Sequence, residues 1–218
     1  MKLVSVNRGL PREVAWHGET VTTAIYKEPV KGRVALRTLN LDGDRQADLS
    51  VHGGKDKAVY CYPVEHYGFW RSELPGRELP MGSFGENFTV EGLVEDSVRI
   101  GDRFSIGSAE VVVTQPRMPC YKLGIRFGSD ELVKRFLASR RTGFYMAVAQ
   151  EENVGAGDEI VMLSREPEPV SVADITRLYV TKQYGSDDIA LVHRALGVHA
   201  LPESWKEYFR KRLQMTPA

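Results

Sequence analysis

The sequence predicts a mainly β fold: a β-barrel with a few short helices over residues 1–165, then a linker and a small three-helix domain over residues 166–218. Three observations carry that prediction. Up to about residue 164, short β-branched or aromatic runs alternate with glycine-rich breaks, with little sustained 3.6-residue periodicity, which is the grammar of strands in a barrel or sandwich. Glu166-Pro167-Glu168-Pro169 can continue neither period and reads as a stiff linker. Beyond it, capping residues precede segments with helical spacing.

Taken in order, Leu3 to Val6, Arg33 to Leu36 and Ala58 to Tyr62 read as strands. A helix is expected from Pro63, a residue suited to the first helical position, with Val64, Tyr67, Trp70 and Leu74 at helical spacing. The clearest β signal is a three-strand meander. It runs from Val98 to Ile100, turns at Gly101-Asp102, continues from Arg103 to Ile106, turns at Gly107-Ser108 and ends over Ala109 to Thr114. Ser129 caps a helix from Asp130 to Leu137. Phe144 to Ala149 and Glu159 to Leu163 complete the strands. In the tail, Ser171 caps Val172 to Val180, Ser186-Asp187-Asp188 open a helix ending at Gly197, and Leu201-Pro202-Glu203 opens one to Leu213.

Composition narrows the function classes. The 218 residues are 42% hydrophobic and 27% charged, as expected of a folded globular chain. Lys plus Arg and Asp plus Glu are both 29, so no global field draws the chain to nucleic acid or an anionic membrane, and any anion site must be local. The N-terminus has no signal-peptide pattern and no apolar run approaches the ~20 residues of a membrane helix, so a cytoplasmic protein is expected. Two cysteines, Cys61 and Cys120, are too few for a disulfide scaffold and are expected as thiols.

Three segments can carry chemistry. In Thr114 to Gly124, Pro116 and Pro119 stiffen the approach to Cys120, and Arg117, Lys122 and Arg126 lie close in sequence; such cations favour the reactive, metal-binding thiolate. The competing reading is a small buried hydrophobe, which is what alternation with Val59 predicts for Cys61. In Asp48 to Ala58, Gly53 and Gly54 let backbone amides approach an anion, with His52, Lys55 and Lys57 as cations. The spacing is not that of a P-loop and a strand rather than a helix follows, so by itself the segment favours an ordinary β-turn with solvated lysines. In Gly82 to Leu93, Glu86 and Asn87 can face a ligand while Phe84 and Phe88 anchor the loop, or they can simply stitch the loop together. Patterns of zinc hydrolases, thioredoxin-like enzymes, serine hydrolases and dinucleotide-binding enzymes are missing.

Together VHGGKDKAVYCYPVEHY (51–67), GSFGENFTVEGL (82–93) and VRIGDRFSIGSAEVVVTQPRMPCYKLGIRFG (98–128) resemble the MOSC family, named after the C-terminal domain of molybdenum-cofactor sulfurases, and within it the YiiM-type members that carry a three-helix tail. The resemblance implies a MOSC-type barrel whose cleft holds the pyranopterin-dithiolene molybdenum cofactor, with Cys120 at the position of the metal-binding sulfur. His52, Gly53, Gly54, Asp56, Glu86 and Asn87 then become candidates for lining the pterin pocket, and Arg117 and Lys122 for offsetting phosphate or pterin charge. It further implies reduction of N-hydroxylated compounds, such as hydroxylamino purines or amidoximes, to amines in a detoxifying role. Pyridoxal phosphate binding is left open by the resemblance.

Two cysteines cannot hold an iron–sulfur cluster, so electrons are expected from a separate redox protein. The tail can dock that donor, close over the cleft, support a homodimer or act as a stabilising cap. Two other readings compete: a cofactor carrier or sulfur-transfer protein with a persulfide on Cys120, and a tail that reads DNA. The second has only a +2 excess over residues 170–218 behind it, so no nucleic-acid partner is expected.

Overall fold

The computed structural model describes residues 1–48 and 53–215. Among them, eight strands form one sheet in the order β12 (Ile160–Ser164), β8 (Arg103–Ile106), β9 (Ala109–Pro116), β10 (Phe144–Gln150), β6 (Val59–Pro63), β7 (Phe88–Glu91), β1 (Lys2–Arg8), β4 (Glu28–Pro29). Neighbours run antiparallel except β6 and β7, which are parallel. Two smaller pairs flank the sheet: β5 (Arg33–Leu36) with β11 (Glu152–Gly155), and the hairpin β2 (Arg12–Trp16) with β3 (Glu19–Thr23).

The expected barrel is not closed. Its terminal strands β4 and β12 do not pair. A single bridge, Lys2 to Glu159, and backbone bonds from Leu3 N to Asp158 O and from Ile160 N to Met1 O (2.9 Å each) span the seam. The reason lies in β1: β7 takes one edge and β4 takes Asn7 and Arg8 on the other, leaving only the first residues open to the opposite end of the sheet.

Six α-helices are formed by the described residues. α1 (Glu65–Glu73), α2 (Tyr121–Phe127) and α3 (Asp130–Ser139) cover one side of the sheet; α4 (Val172–Val180), α5 (Ser186–Gly197) and α6 (Glu203–Gln214) form the tail. The sequence places α3 and the three tail helices to within two residues. Pro63, expected to open α1, instead ends β6, whose in-register pairing of Pro63 with Val90 continues the ladder. The expected strand at Val98 to Ile100 is absent. That segment pairs with the chain leaving the linker, through an Arg99 to Ser171 bridge and bonds between Ile100 N and Val170 O (3.0 Å) and Val172 N and Val98 O (2.9 Å). No helix among the described residues is long and apolar enough to cross a membrane.

Two apolar clusters hold these layers. One runs from Leu3, Phe88, Phe104 and Phe144 in the sheet to Ile175, Leu178 and Phe209 in the tail. The other is aromatic: Trp70 of α1 stacks on Phe136 of α3 at 5.3 Å, against Tyr62 and Phe84. Its polar atoms are satisfied in series, since Trp70 Nε1 donates to the Tyr62 hydroxyl (2.6 Å), which donates to Arg141 O (3.1 Å). Gly143 is the tightest point. Its φ is +65°, and a Cβ there would lie 2.3 Å from Cys61 O, so only glycine lets β10 start against β6 and set Tyr145 opposite Tyr60.

Candidate functional site

β9 ends at Pro116, and Arg117-Met118-Pro119 carries the chain across the end of the sheet to Cys120, the extended residue before α2. The thiol is half-buried and lines a cleft enclosing about 620 Å³ including its mouth. The opposite wall comes from the end of the β2–β3 hairpin, Thr23 to Ile25, and from Asp44 to Ala47. Cys61 is fully buried beside Met146, and burial pushes its thiol pKa up, so it is packing, as alternation predicted. The two cysteines are not joined in a disulfide.

Arg117 is the central charge. It is only 4% exposed, and its guanidinium lies 5.2 Å from the Tyr60 ring and 5.3 Å from that of Phe136. Burial opposes its charge, yet Tyr60, Tyr145 and Cys120 around it hold its pKa above the ordinary value. Its Nη1 is buried without a hydrogen-bond partner among the described residues. A cationic donor left unsatisfied costs the desolvation of that group, on the order of 1–3 kcal/mol or more, so the arrangement is one that an anion completes.

Other groups set the sign of the cleft. Lys27 Nζ meets Asp44 Oδ1 at 2.5 Å; burial pushes its pKa down while Asp44 opposes the shift. Asn87 Nδ2 donates to the second Asp44 oxygen (2.9 Å) while its Oδ1 accepts from Tyr60 N (3.1 Å). With Asp44 paired to Lys27, the described lining carries four further basic side chains, Arg117, Lys122, Lys57 and Arg45. Lys122 is 8% exposed and makes no ion pair among the described residues. Burial raises the pKa of both tyrosines, so their phenols stay protonated at neutral pH. Tyr60 donates to Thr142 O (2.8 Å), and the nearby Arg117 charge opposes the upward shift at Tyr145.

Of the residues singled out by sequence, Cys120, Asn87, Arg117 and Lys122 come together here. Gly53, Gly54 and Asp56 flank the cleft without lining it: Gly54 precedes the short 3-10 turn Lys55–Lys57, and the Asp56 carbonyl faces β9. His52 lies outside the described residues. Glu86 sits behind the wall, fully buried, accepting from Tyr67 Oη, Gly82 N (2.8 Å), Phe84 N (3.0 Å) and Thr89 Oγ1 (3.0 Å). Sequence reasoning missed Lys27, Asp44, Tyr60 and Tyr145. The two tyrosines meet only through the β6–β10 register, which no local spacing announces.

Residues 48–161 match the MOSC domain family model, and residues 170–215 match that of the YiiM-like 3-alpha helix domain. The chain is 41% identical to the uncharacterized protein YflK of Bacillus subtilis (strain 168), over 96% of this chain and 93% of that one. It is 35% identical to a protein named "Reductase" from Gibberella moniliformis, over 81% of this chain but 32% of that longer one. The crystal structure of YiiM from Geobacillus stearothermophilus superposes with a TM-score of 0.80 at 35% identity, covering 97% of this chain and 98% of that one.

Proposed function

The chain belongs to the MOSC domain family, and from that premise we propose that it is a molybdenum-cofactor-dependent reductase that takes N-hydroxylated compounds, such as hydroxylamino purines or amidoximes, to their amines in a detoxifying role. The observation that carries the reading is the half-buried thiol of Cys120 in one cleft with a guanidinium whose Nη1 has no partner among the described residues.

The donor set fits that cofactor. Among the described residues no group of three His, Cys, Asp or Glu side chains is placed to hold a metal, and Cys120 is the one thiol in the described lining of the cleft. One sulfur suits a metal that arrives with chelating sulfurs of its own, and thiolate matches a soft centre. Arg117 and Lys122 would hold the anionic phosphate or pterin, Arg117 through the Nη1 that has no partner among the described residues. Cys120 would hold the metal, and Asn87, locked by Asp44 and Tyr60, would shape the pocket rim. Tyr145 keeps its proton beside the cleft, where reduction of an N–OH group consumes protons. When bound, the cofactor supplies the two-electron chemistry that converts N–OH to N–H with release of water. Electrons would come from a separate redox protein, since two cysteines cannot hold a four-cysteine cluster.

The test is Cys120→Ser in protein expressed in a molybdate-fed, cofactor-competent host, assayed on a hydroxylamino purine with an artificial reductant. Turnover should fall at least about 100-fold, as expected for loss of a directly ligating group. Undiminished turnover would remove Cys120 from the chemistry. Wild-type protein that carries a stable added sulfur on Cys120 by mass spectrometry, with no turnover when molybdenum-loaded, would assign the chain to sulfur transfer instead.

A further inference from the structure

The last helix of the tail reaches the cleft wall through one side chain. Trp205 of α6 is 9% exposed, and its indole Nε1 donates to Oε1 of Gln115 in β9 at 2.8 Å, across 90 residues of chain. Gln115, 4% exposed, turns Nε2 to the carbonyl oxygen of Asp56 at 3.2 Å, and Thr114 Oγ1 donates to the same oxygen at 2.6 Å. The direction of this relay is chemically fixed. An indole N–H can only donate, so the amide must present its oxygen to Trp205 and its nitrogen to Asp56. Asp56 lies in the turn Lys55–Lys57, and the next residue, Lys57, is half-buried in the cleft lining. Gln115 also stands two residues before Arg117 and opposite Tyr145 in the β9–β10 register.

Resting on the cleft as an anion site, we propose that Trp205 and Gln115 are positioning residues: through them the C-terminal helices hold the 53–57 segment, and with it the Lys57 ammonium, against the cleft. An apolar pair would fill the same space without the cost of burying an indole N–H and a carboxamide. What the polar bridge adds is a defined distance and direction to one carbonyl. The tail is then a working part of the site's frame, and its helices set how the cationic wall meets a bound phosphate group.

The experiment uses the full chain without cofactor and two variants, Trp205→Phe, which keeps the ring and drops the N–H, and Gln115→Met. Hydrogen exchange read by mass spectrometry should rise about fivefold in a peptide covering 53–58, the factor expected for one lost hydrogen bond. Amides of β6, β9 and β10 should keep their wild-type exchange, and the double variant should exchange no faster at 53–58 than either single one. An unchanged 53–58 peptide, or an increase spread evenly over the sheet, would reduce the bridge to general stabilisation and overturn the proposal.

A second readout is protection of Cys120 from iodoacetamide by inorganic phosphate. The phosphate concentration that halves labelling should rise about fivefold in both variants. Equal protection in wild type and variants would sink the positioning role while leaving the anion cleft standing. Absence of protection in the wild type would instead sink the cleft reading, and the exchange experiment would then decide the relay alone.

Discussion

Arg117 is held where a structural arginine would be a poor choice: nearly dry, with Nη1 unanswered among the described residues, against two aromatic rings. Burying such a group costs desolvation that a bound anion would offset. Replacing a buried, incompletely paired charge with an apolar side chain of similar length is often neutral or stabilising. Arg117→Met should therefore leave stability unchanged or raise it by about 1 kcal/mol in urea denaturation, although it gives up the ring contacts. The same change should weaken phosphate protection of Cys120 by about 10- to 100-fold, the weight of a charge-assisted hydrogen bond. A loss of about 3 kcal/mol of stability with unaltered phosphate protection would make Arg117 a structural keystone. Cys120 and Arg117 were legible in sequence because prolines stiffen one short segment that carries both. Lys27 and Asp44 were not, because their pairing depends on two loops packing together, 17 residues apart and without local periodicity.

The loop from Gly82 to Asn87 sends its two singled-out side chains, Glu86 and Asn87, to opposite sides of the cleft wall. Its flanking glycines and acidic and amide side chains marked it, yet adjacent residues point in opposite directions, so Asn87 enters the cleft lining while Glu86 is clamped behind it. Glu86 accepts from four donors; burial pushes its pKa up, and its bonds from Tyr67, Gly82 and Thr89 oppose that. Only an acceptor on both oxygens satisfies this set. Glu86→Gln puts an NH2 against N–H and O–H donors, so it should cost about 2–3 kcal/mol of stability by urea denaturation even though it removes a buried charge. A neutral or stabilising result would show that the loop does not depend on these bonds. Other elements escaped a local reading for similar reasons. α2 has seven residues with Gly124 at its middle, too short to display two turns of periodicity, and β7 borrows its pairing from β6 and β1 on either side. Val98 to Ile100 carries a strand-like pattern, but its partner lies about 70 residues further on.

At the scale of the whole molecule, the proline-rich linker correctly marks where helical grammar begins, but it is a weak guide to where one folding unit ends. The chain leaving it pairs at once with Val98 and Ile100, and the side chains of α4 and α6 enter the same apolar cluster as the sheet. Ile175, Leu178 and Phe209 are fully buried there alongside Val111 and Val113 of β9. Removing the tail would bare that apolar face of β9 to water and take away the Trp205 donor of Gln115. A sheet whose seam is spanned by one bridge and a few backbone bonds has little reserve to absorb such a loss. The two sequence modules should therefore unfold as one cooperative unit. Calorimetry of the full chain should show a single transition with equal calorimetric and van't Hoff enthalpies, and a chain ending at residue 169 should fail to fold as a monomer. Two resolved transitions, or a truncated sheet with native-like circular dichroism and sharp melting, would mean that the tail merely docks on a self-sufficient fold. In that case a signal from Trp205 to the cleft would have to cross an interface able to open independently.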